Sequence, residues 1–169
     1  MKTAVMVIAP SVFRDEEYIE PKRVLESRGV AVTTASAAPG ECIGKLGYRA
    51  TATLSIADAT HADWDAVIFV GGAGAREFFD DKSAHRLAAK QLAADGVLAA
   101  ICVAPSILAR AGVLRGVRST AFPSQEGDLE AHGALWTGEP VTIDGRIVTA
   151  DGPESATEFG EAVASAVGA

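Results

Sequence analysis

Cysteine is scarce in this sequence, and only Cys42 and Cys102 occur in 169 residues. Secreted domains that depend on disulfide bonds carry many more, so we exclude a disulfide scaffold. Long apolar runs are also missing, since none reaches the roughly 18 residues that a membrane span requires. The apolar N-terminal run ends at Pro10, and acidic residues follow it without a small-residue cleavage pattern. It therefore predicts the first β-strand of a cytoplasmic protein and not a signal peptide.

Basic residues are in deficit, with 15 Lys and Arg against 22 Asp and Glu, and the net charge is −7. They are also scattered along the sequence. Binding to nucleic acid needs a basic face, so we expect no nucleic-acid partner, and nothing in the sequence indicates a membrane partner. The acidity itself favours solubility.

Histidine is equally sparse. His61 lies in a predicted loop, His85 within a predicted helix, and His132 at a helix end, where the helix dipole favours it. None has the spacing to cysteine or carboxylate that a metal site requires. Gly72 and Gly74 lack the third glycine and the later acidic residue of a dinucleotide-binding fingerprint. We therefore predict neither a metal nor a nucleotide cofactor.

What the chain does contain is a regular alternation of apolar, β-rich runs and helical stripes. Strands are predicted at residues 3–9, 30–35, 48–56, 66–70, 97–102 and 118–122, and a hairpin at 141–150. Helices are predicted at residues 15–28, 83–94, 104–111, 125–132 and 154–167, with Pro21 tolerated in a first turn and residues 39–47 as turns. Continuously apolar central strands favour a mainly parallel sheet with helices on both faces. We predict one α/β domain over residues 1–169.

The most informative residue is Cys102, which ends a buried strand where a helix begins at Pro105. Ala100 and Ala104 are small, as a sharp nucleophile elbow requires, and the pattern A-x-C-x-A corresponds to the serine version G-x-S-x-G. Free N–H groups at the helix start favour a thiolate, so we expect the pKa of Cys102 to be lowered. The alternative is an inert core cysteine.

Four stretches in order carry a resemblance to a known family. They are Glu17-x-x-x-Pro21, Gly71-Gly72, the run from residue 99 to 105 around Cys102, and residues 109–116. With them the chain resembles the ThiJ/PfpI superfamily, which includes the parkinsonism-associated deglycase and the PfpI intracellular protease. The resemblance implies a three-layer α/β sandwich that is flavodoxin-like and class I glutamine amidotransferase-like, with its site at the carboxyl ends of the parallel strands. It also implies a homodimer.

The same resemblance assigns roles to individual residues. Glu17 corresponds to a protonated carboxylic acid that donates a hydrogen bond to the sulfur of Cys102, which requires a buried carboxyl group. The backbone N–H groups of Gly71, Gly72 and Val103 would line the site for an oxyanion. An exposed glutamate at a helix start and a simple tight turn at the glycine pair are the alternatives.

Two positions depart from the family pattern. Val103 follows the cysteine where the protease-like branch has histidine, and Phe122 precedes Pro123 where the deglycase branch has a second histidine. No general base is therefore evident.

Three functions remain open. In the first, Cys102 attacks a small reactive carbonyl compound, with glyoxalase- or deglycase-like hydrolytic activity. In the second, the chain is a redox-responsive stress protein whose Cys102 is oxidised without turnover. The third is an intracellular cysteine peptidase, which Val103 disfavours.

Overall fold

The fold is described by a computed structural model of all 169 residues. The strands are β1 (Thr3–Val7), β2 (Ser11–Phe13), β3 (Ala31–Ser36), β4 (Gly40–Gly44), β5 (Arg49–Ala52), β6 (Leu54–Ser55), β7 (Ala66–Phe69), β8 (Val97–Ile101), β9 (Arg118–Ser119), β10 (Leu135–Trp136), β11 (Val141–Asp144) and β12 (Ile147–Ala150). The helices are α1 (Asp15–Ser27), α2 (Ile56–Ala59), α3 (Lys82–Ala93), α4 (Pro105–Arg110), α5 (Glu126–Ala131) and α6 (Ala156–Ala166). Single 3₁₀ segments cover Ala73–Phe78, Pro123–Gln125 and Pro153–Ser155. No helix has both the length and the apolar character needed to cross a bilayer.

Seven strands form the central sheet in the order β11-β12-β8-β7-β1-β3-β6. Every neighbouring pair is parallel except the hairpin β11–β12. Every residue of β7, β8 and β12 is buried, as expected for strands covered on both faces. The predicted α/β sandwich with a mainly parallel sheet is confirmed.

Helices cover the sheet in two layers. On one side α1 packs along α6, and on the other α3 packs against α2 and α4. A Cβ on Gly160 of α6 would lie 2.8 Å from the Cα of Pro21, so glycine is what lets the two helices approach so closely. Pro21 lies in the second turn of α1, not in the first turn as predicted. Because proline has no N–H, it cannot donate the helical hydrogen bond to the carbonyl of Glu17.

Residues 39–56 fold differently from the prediction. The stretch expected to be turns contains β4, which pairs antiparallel with β5, and β2 joins the same small sheet. The single strand predicted at residues 48–56 is two strands, because Thr53 bonds to Thr34 and β6 continues into the central sheet. This hairpin covers the start of α1, which carries part of the site.

Candidate functional site

Cys102 lies at the carboxyl end of β8, at the corner that leads to α4. Its φ is +65°, a left-handed conformation that a non-glycine residue rarely adopts. The corner is fixed from both sides, because Cys102 N–H donates to Ala150 O at 2.9 Å and Cys102 O accepts from Phe122 N at 2.8 Å. Ala100 and Ala104 are fully buried. The side chain of Cys102 retains 8 % exposure.

The prediction that the following helix lowers the pKa of Cys102 is wrong. The first N–H groups of the corner are engaged elsewhere: Ala104 donates to Ile101 O at 3.1 Å and Ser106 donates to Val103 O at 3.1 Å. Pro105 has no N–H, and α4 is only six residues long. The backbone N–H groups that reach the sulfur belong to Gly72 and Val103, and they lower its pKa less than burial raises it.

Glu17 is fully buried beside the cysteine. The Cys102 thiol and the Gly71 N–H are close enough to favour its ionised form, but neither has the alignment of a full hydrogen bond, and both carboxyl oxygens lack a partner. Burial outweighs these contacts and raises the pKa of Glu17 to about 8. The carboxyl group is therefore protonated at neutral pH.

The two groups titrate as a pair. Loss of the first proton leaves one negative charge in a dry site, and this charge opposes loss of the second. Burial, followed by the charge on Glu17, raises the pKa of Cys102 to about 12. At neutral pH the resting pair holds both protons.

The glycine pair Gly71-Gly72 follows β7 and brings the main chain against this pair. A Cβ on Gly71 would lie 2.5 Å from Glu17 Oε1 and 2.6 Å from the Cβ of Cys102. Gly72 has a φ of +99°, and a Cβ there would collide with the backbone N of Arg14. The Gly71 N–H contacts Glu17, whereas the Gly72 N–H contacts the sulfur. The oxyanion role predicted for the N–H groups of Gly71, Gly72 and Val103 stays a prediction.

A pocket of about 300 Å³ opens above Cys102 and Glu17. Arg14, Lys45 and Arg76 line it. The sequence prediction missed these three residues, because they are separated by about thirty positions each and were counted as scattered basic residues. In the fold, Arg14 precedes α1, Lys45 lies in the β4–β5 loop, and Arg76 lies in the 3₁₀ segment after Gly72. The local signals were that Arg14 precedes Glu17 by three residues and that Arg76 follows Gly72 by four, whereas Lys45 lies within the stretch predicted as turns.

The β4–β5 loop is held by a buried carboxylate that the sequence prediction also missed. Asp15, at the first position of α1, accepts hydrogen bonds at 2.9 Å from Leu46 N–H and from Tyr48 N–H. Lys45 N–H donates to Phe13 O at 2.8 Å. Val12, next to this loop, lines the pocket with a φ of +58°, which is strained for a β-branched residue.

No imidazole lines the pocket. Its wall contains Val103 and Phe122, the two positions at which related branches have histidine. His85 Nε2 lies 2.7 Å from Phe79 O, and His132 ends α5 as predicted, with Nδ1 2.8 Å from Asp128 O. His61 is exposed in a loop.

Both cysteines are free thiols. Cys42 is buried in β4, where its closest polar contact is Gly40 O at 3.8 Å. The structure contains no group of three or more His, Cys, Asp or Glu side chains that could bind a metal ion.

The fold and this corner define an α/β sandwich protein with a cysteine at a nucleophile elbow. The chain belongs to the DJ-1/PfpI family, whose sequence profile matches residues 2–166. It is 39 % identical to an uncharacterized protein of Methanocaldococcus jannaschii, over 99 % of this chain and 84 % of the relative. It is 32 % identical to a deglycase of Pyrococcus abyssi, over 88 % of this chain and 90 % of that one. The crystal structure of a ThiJ/PfpI domain protein from Brachyspira murdochii superposes with a TM-score of 0.94 at 32 % identity, covering 98 % and 96 % of the two chains.

Proposed function

We propose that Cys102 adds to small reactive carbonyl compounds and that Glu17 carries the proton, giving glyoxalase- or deglycase-like activity. The observation that carries this proposal is the buried Cys102–Glu17 pair at the floor of a pocket, where the Gly72 and Val103 N–H groups favour the ionised sulfur. The deglycase names of the Pyrococcus relatives support it. The family resemblance also supports a homodimer, which a molar mass measured by light scattering tests, and a cytoplasmic location.

The reactive form is the pair that has lost one proton. That proton comes mainly from Glu17, whose pKa is the lower of the two, and the tautomer that reacts is the minor one in which the remaining proton has moved from the sulfur to Glu17. The Gly72 and Val103 N–H groups stabilise its thiolate. The sulfur then attacks the carbonyl carbon, an S–C bond forms, and the π electrons of the C=O bond move to oxygen. That oxygen takes the proton from Glu17, which leaves a thiohemiacetal and a carboxylate ready to accept the next proton.

With methylglyoxal, a hydrogen shift within the adduct converts the aldehyde carbon to a thioester and the ketone to an alcohol. Water then releases lactate and restores the thiol. The sum is methylglyoxal plus water to lactate, so no external oxidant or reductant is needed. Glu17 replaces the absent imidazole as the group that accepts and returns protons.

The pH dependence of Cys102 alkylation by iodoacetamide tests the pair directly. We expect the rate to rise with an inflection near pH 8, where the pair loses its first proton. Glu17→Gln moves the inflection above pH 9, because the proton must then leave the buried thiol itself. Glu20→Gln is the matched control and leaves the inflection in place, since Glu20 pairs with Arg23 at the surface of α1. An unchanged profile in Glu17→Gln contradicts the proposal.

Turnover is tested by lactate formation from methylglyoxal. Cys102→Ser abolishes it, whereas Cys42→Ala, which removes the other thiol, retains it. Equal lactate from wild type and Cys102→Ser excludes carbonyl turnover at this site.

A second candidate function, redox sensing, is favoured by the absence of an imidazole from the pocket. Peroxide would convert the thiol to sulfenic acid and water, and a second equivalent would give sulfinic acid and water. A protonated Glu17 can donate to the sulfinate oxygen. Mass spectrometry after mild peroxide then finds two added oxygens on Cys102, and modification of Cys42 alone contradicts this function. The peptidase alternative has no comparable support.

A further inference from the structure

The cations of the pocket stand out against an acidic protein. The chain carries a net charge of −7, yet Arg14, Lys45 and Arg76 line the cavity above Cys102, and its one acidic lining residue is Glu17. That carboxyl group is protonated at neutral pH, so it does not offset the cations. The space next to the sulfur is therefore electropositive.

The three cations are not equivalent. Arg14 makes a two-fold contact with Glu16, with Nε–Oε1 at 3.0 Å and Nη2–Oε2 at 2.9 Å, and much of its charge is thereby offset. Lys45 makes no ion pair and no side-chain hydrogen bond. Arg76 makes no ion pair either, and its guanidinium lies 5.7 Å from the centre of the Phe79 ring. Lys45 and Arg76 are thus free to bind an anion.

The fold positions both free cations close to the cysteine corner. Lys45 is on the loop that Asp15 holds through Leu46 N–H and Tyr48 N–H. Arg76 is on the 3₁₀ segment that begins after Gly72, whose own N–H contacts the sulfur. The two cations therefore line the same cavity from rigidly connected segments.

Acidic groups line a neighbouring cleft. Asp151 and Glu154 line this cleft, which shares only Phe122 and Pro153 with the pocket. Asp151 accepts a hydrogen bond from Ser155 at 2.6 Å. An anion that enters the pocket is attracted to the Lys45 and Arg76 side and repelled from the Phe122 side, so the charges also orient it.

We propose that the pocket selects carbonyl compounds that carry a negatively charged oxyanion group, a carboxylate or a phosphate, through Lys45 and Arg76. This inference rests on the proposed carbonyl chemistry at Cys102 and names its substrate class. Neutral aldehydes such as methylglyoxal are then poorer ligands than anionic aldehydes of similar size.

A matched pair of alkylating reagents reads the charge at the sulfur. Iodoacetate and iodoacetamide differ by one negative charge, and both respond to the same thiolate population. The ratio of their rates at Cys102, divided by the same ratio for 2-mercaptoethanol, which carries no charge besides its thiolate, therefore cancels the pKa of the cysteine. We expect a normalised ratio above 1 that declines with added salt.

Variants assign the effect to residues. Lys45→Met and Arg76→Met each lower the ratio about threefold at low ionic strength, as expected for one unit charge near a protein surface. Glu16→Gln raises it, because Arg14 is no longer offset. Arg86→Gln removes an exposed arginine of α3 outside the pocket and leaves the ratio unchanged. A normalised ratio at or below 1 in the wild type, or a loss in Arg86→Gln equal to that in Lys45→Met, overturns the proposal.

Protection of Cys102 from iodoacetamide distinguishes the two anion types. Glyceraldehyde 3-phosphate is compared with glyceraldehyde, and glyoxylate with glyoxal. Protection at lower concentration by the anionic member of either pair supports the proposal, and the pair that shows it identifies phosphate or carboxylate. Equal protection within both pairs overturns it. Unreactivity of Cys102 toward iodoacetamide at every pH is a different result, and it overturns the proposed function.

Discussion

Two buried carboxyl groups in the first turn of α1 serve different regions of the molecule. Asp15 contacts the β4–β5 loop, and each of its oxygens accepts a backbone N–H at 2.9 Å. Glu17, two residues later, contacts the pocket floor, and neither of its oxygens has a hydrogen-bond partner. Both side chains are at most 4 % exposed.

The difference in hydrogen bonding gives the two carboxyl groups different roles, one structural and one chemical. A carboxyl group whose two oxygens both accept backbone N–H groups stabilises the fold and holds a loop. A carboxyl group without partners is held in its protonated form by burial and can give up or accept a proton when its neighbour reacts. Burial alone does not make a carboxyl group reactive, and the missing hydrogen bonds are what distinguish Glu17.

The largest expected effects come from adding one methyl group beside each carboxyl group. In Gly71→Ala the new Cβ would lie 2.5 Å from Glu17 Oε1 and 2.7 Å from Ile101 O. Ile101 O is a backbone atom, so it cannot move away without distorting β8. We expect the alkylation rate of Cys102 to fall more than tenfold at pH 8 and the free energy of unfolding to fall by about 1–3 kcal/mol.

Gly44→Ala is the counterpart at the other carboxyl group. Its Cβ meets the Asp15 carboxyl oxygens at 2.5–2.6 Å. We expect a similar loss of stability by chemical denaturation, but a Cys102 alkylation profile with its inflection still near pH 8. If both variants lose reactivity equally, the two carboxyl groups do not serve separate regions.

The pH dependence of stability should distinguish the carboxyl groups next. The pKa of Glu17 is raised from its ordinary 4.5 to about 8, so the folded state binds the proton more tightly than the unfolded state. The resulting stabilisation is fully present below pH 4.5 and is lost as the pH rises through about 8. Glu17→Gln removes this loss, so the variant gains a few kcal/mol over the wild type between pH 5 and pH 8.5.

Urea unfolding at a series of pH values measures this difference. Glu20→Gln is the control, because Glu20 pairs with Arg23 at the surface of α1 and its removal leaves the surroundings of Glu17 in place. A constant gap between wild type and Glu17→Gln from pH 5 to pH 8.5 contradicts the raised pKa.

A smaller effect is expected from Asp15→Asn. The amide offers one acceptor oxygen where the carboxylate offered two, and its NH₂ group faces a backbone N–H. We expect a loss of about 2 kcal/mol in the free energy of unfolding. The iodoacetamide rate of Cys102 stays within twofold of the wild type, because Glu17 keeps its surroundings. A loss of reactivity comparable to that of Glu17→Gln argues that Asp15 belongs to the reacting group.

Sequence reasoning reached the floor of the site because its signals are local. The corner at Cys102 follows from an apolar strand, two small flanking alanines and Pro105, and each is visible within ten residues. The glycine pair and Glu17 came from the family resemblance. The parallel sheet followed from fully apolar strands, since only strands covered on both faces lack polar positions.

The pocket cations and the pKa values could not be predicted from the sequence, for a physical reason. Lys45 and Arg76 come to line one pocket only once the chain has folded, and no spacing along the sequence encodes that arrangement. Burial raises the pKa of Cys102 first and the charge on Glu17 second, and the N–H groups of Ala104 and Ser106 do not offset this because they bond to backbone carbonyls. The partners of an N–H group are a property of the folded corner.

The smallest predicted effect concerns the third buried oxygen without a partner, Thr120 Oγ1. Thr120 lies outside the pocket lining, and its backbone N–H donates to Thr149 Oγ1 at 3.0 Å. Thr120→Val keeps the shape and removes an unpaired hydroxyl group, so we expect stability to be unchanged or higher by up to about 1 kcal/mol. Alkylation of Cys102 should keep its rate and its inflection near pH 8. A shifted inflection would show that the Thr120 hydroxyl group takes part in the titration of the Cys102–Glu17 pair. The absence of a hydrogen-bond partner would then not by itself identify Glu17 as the proton carrier.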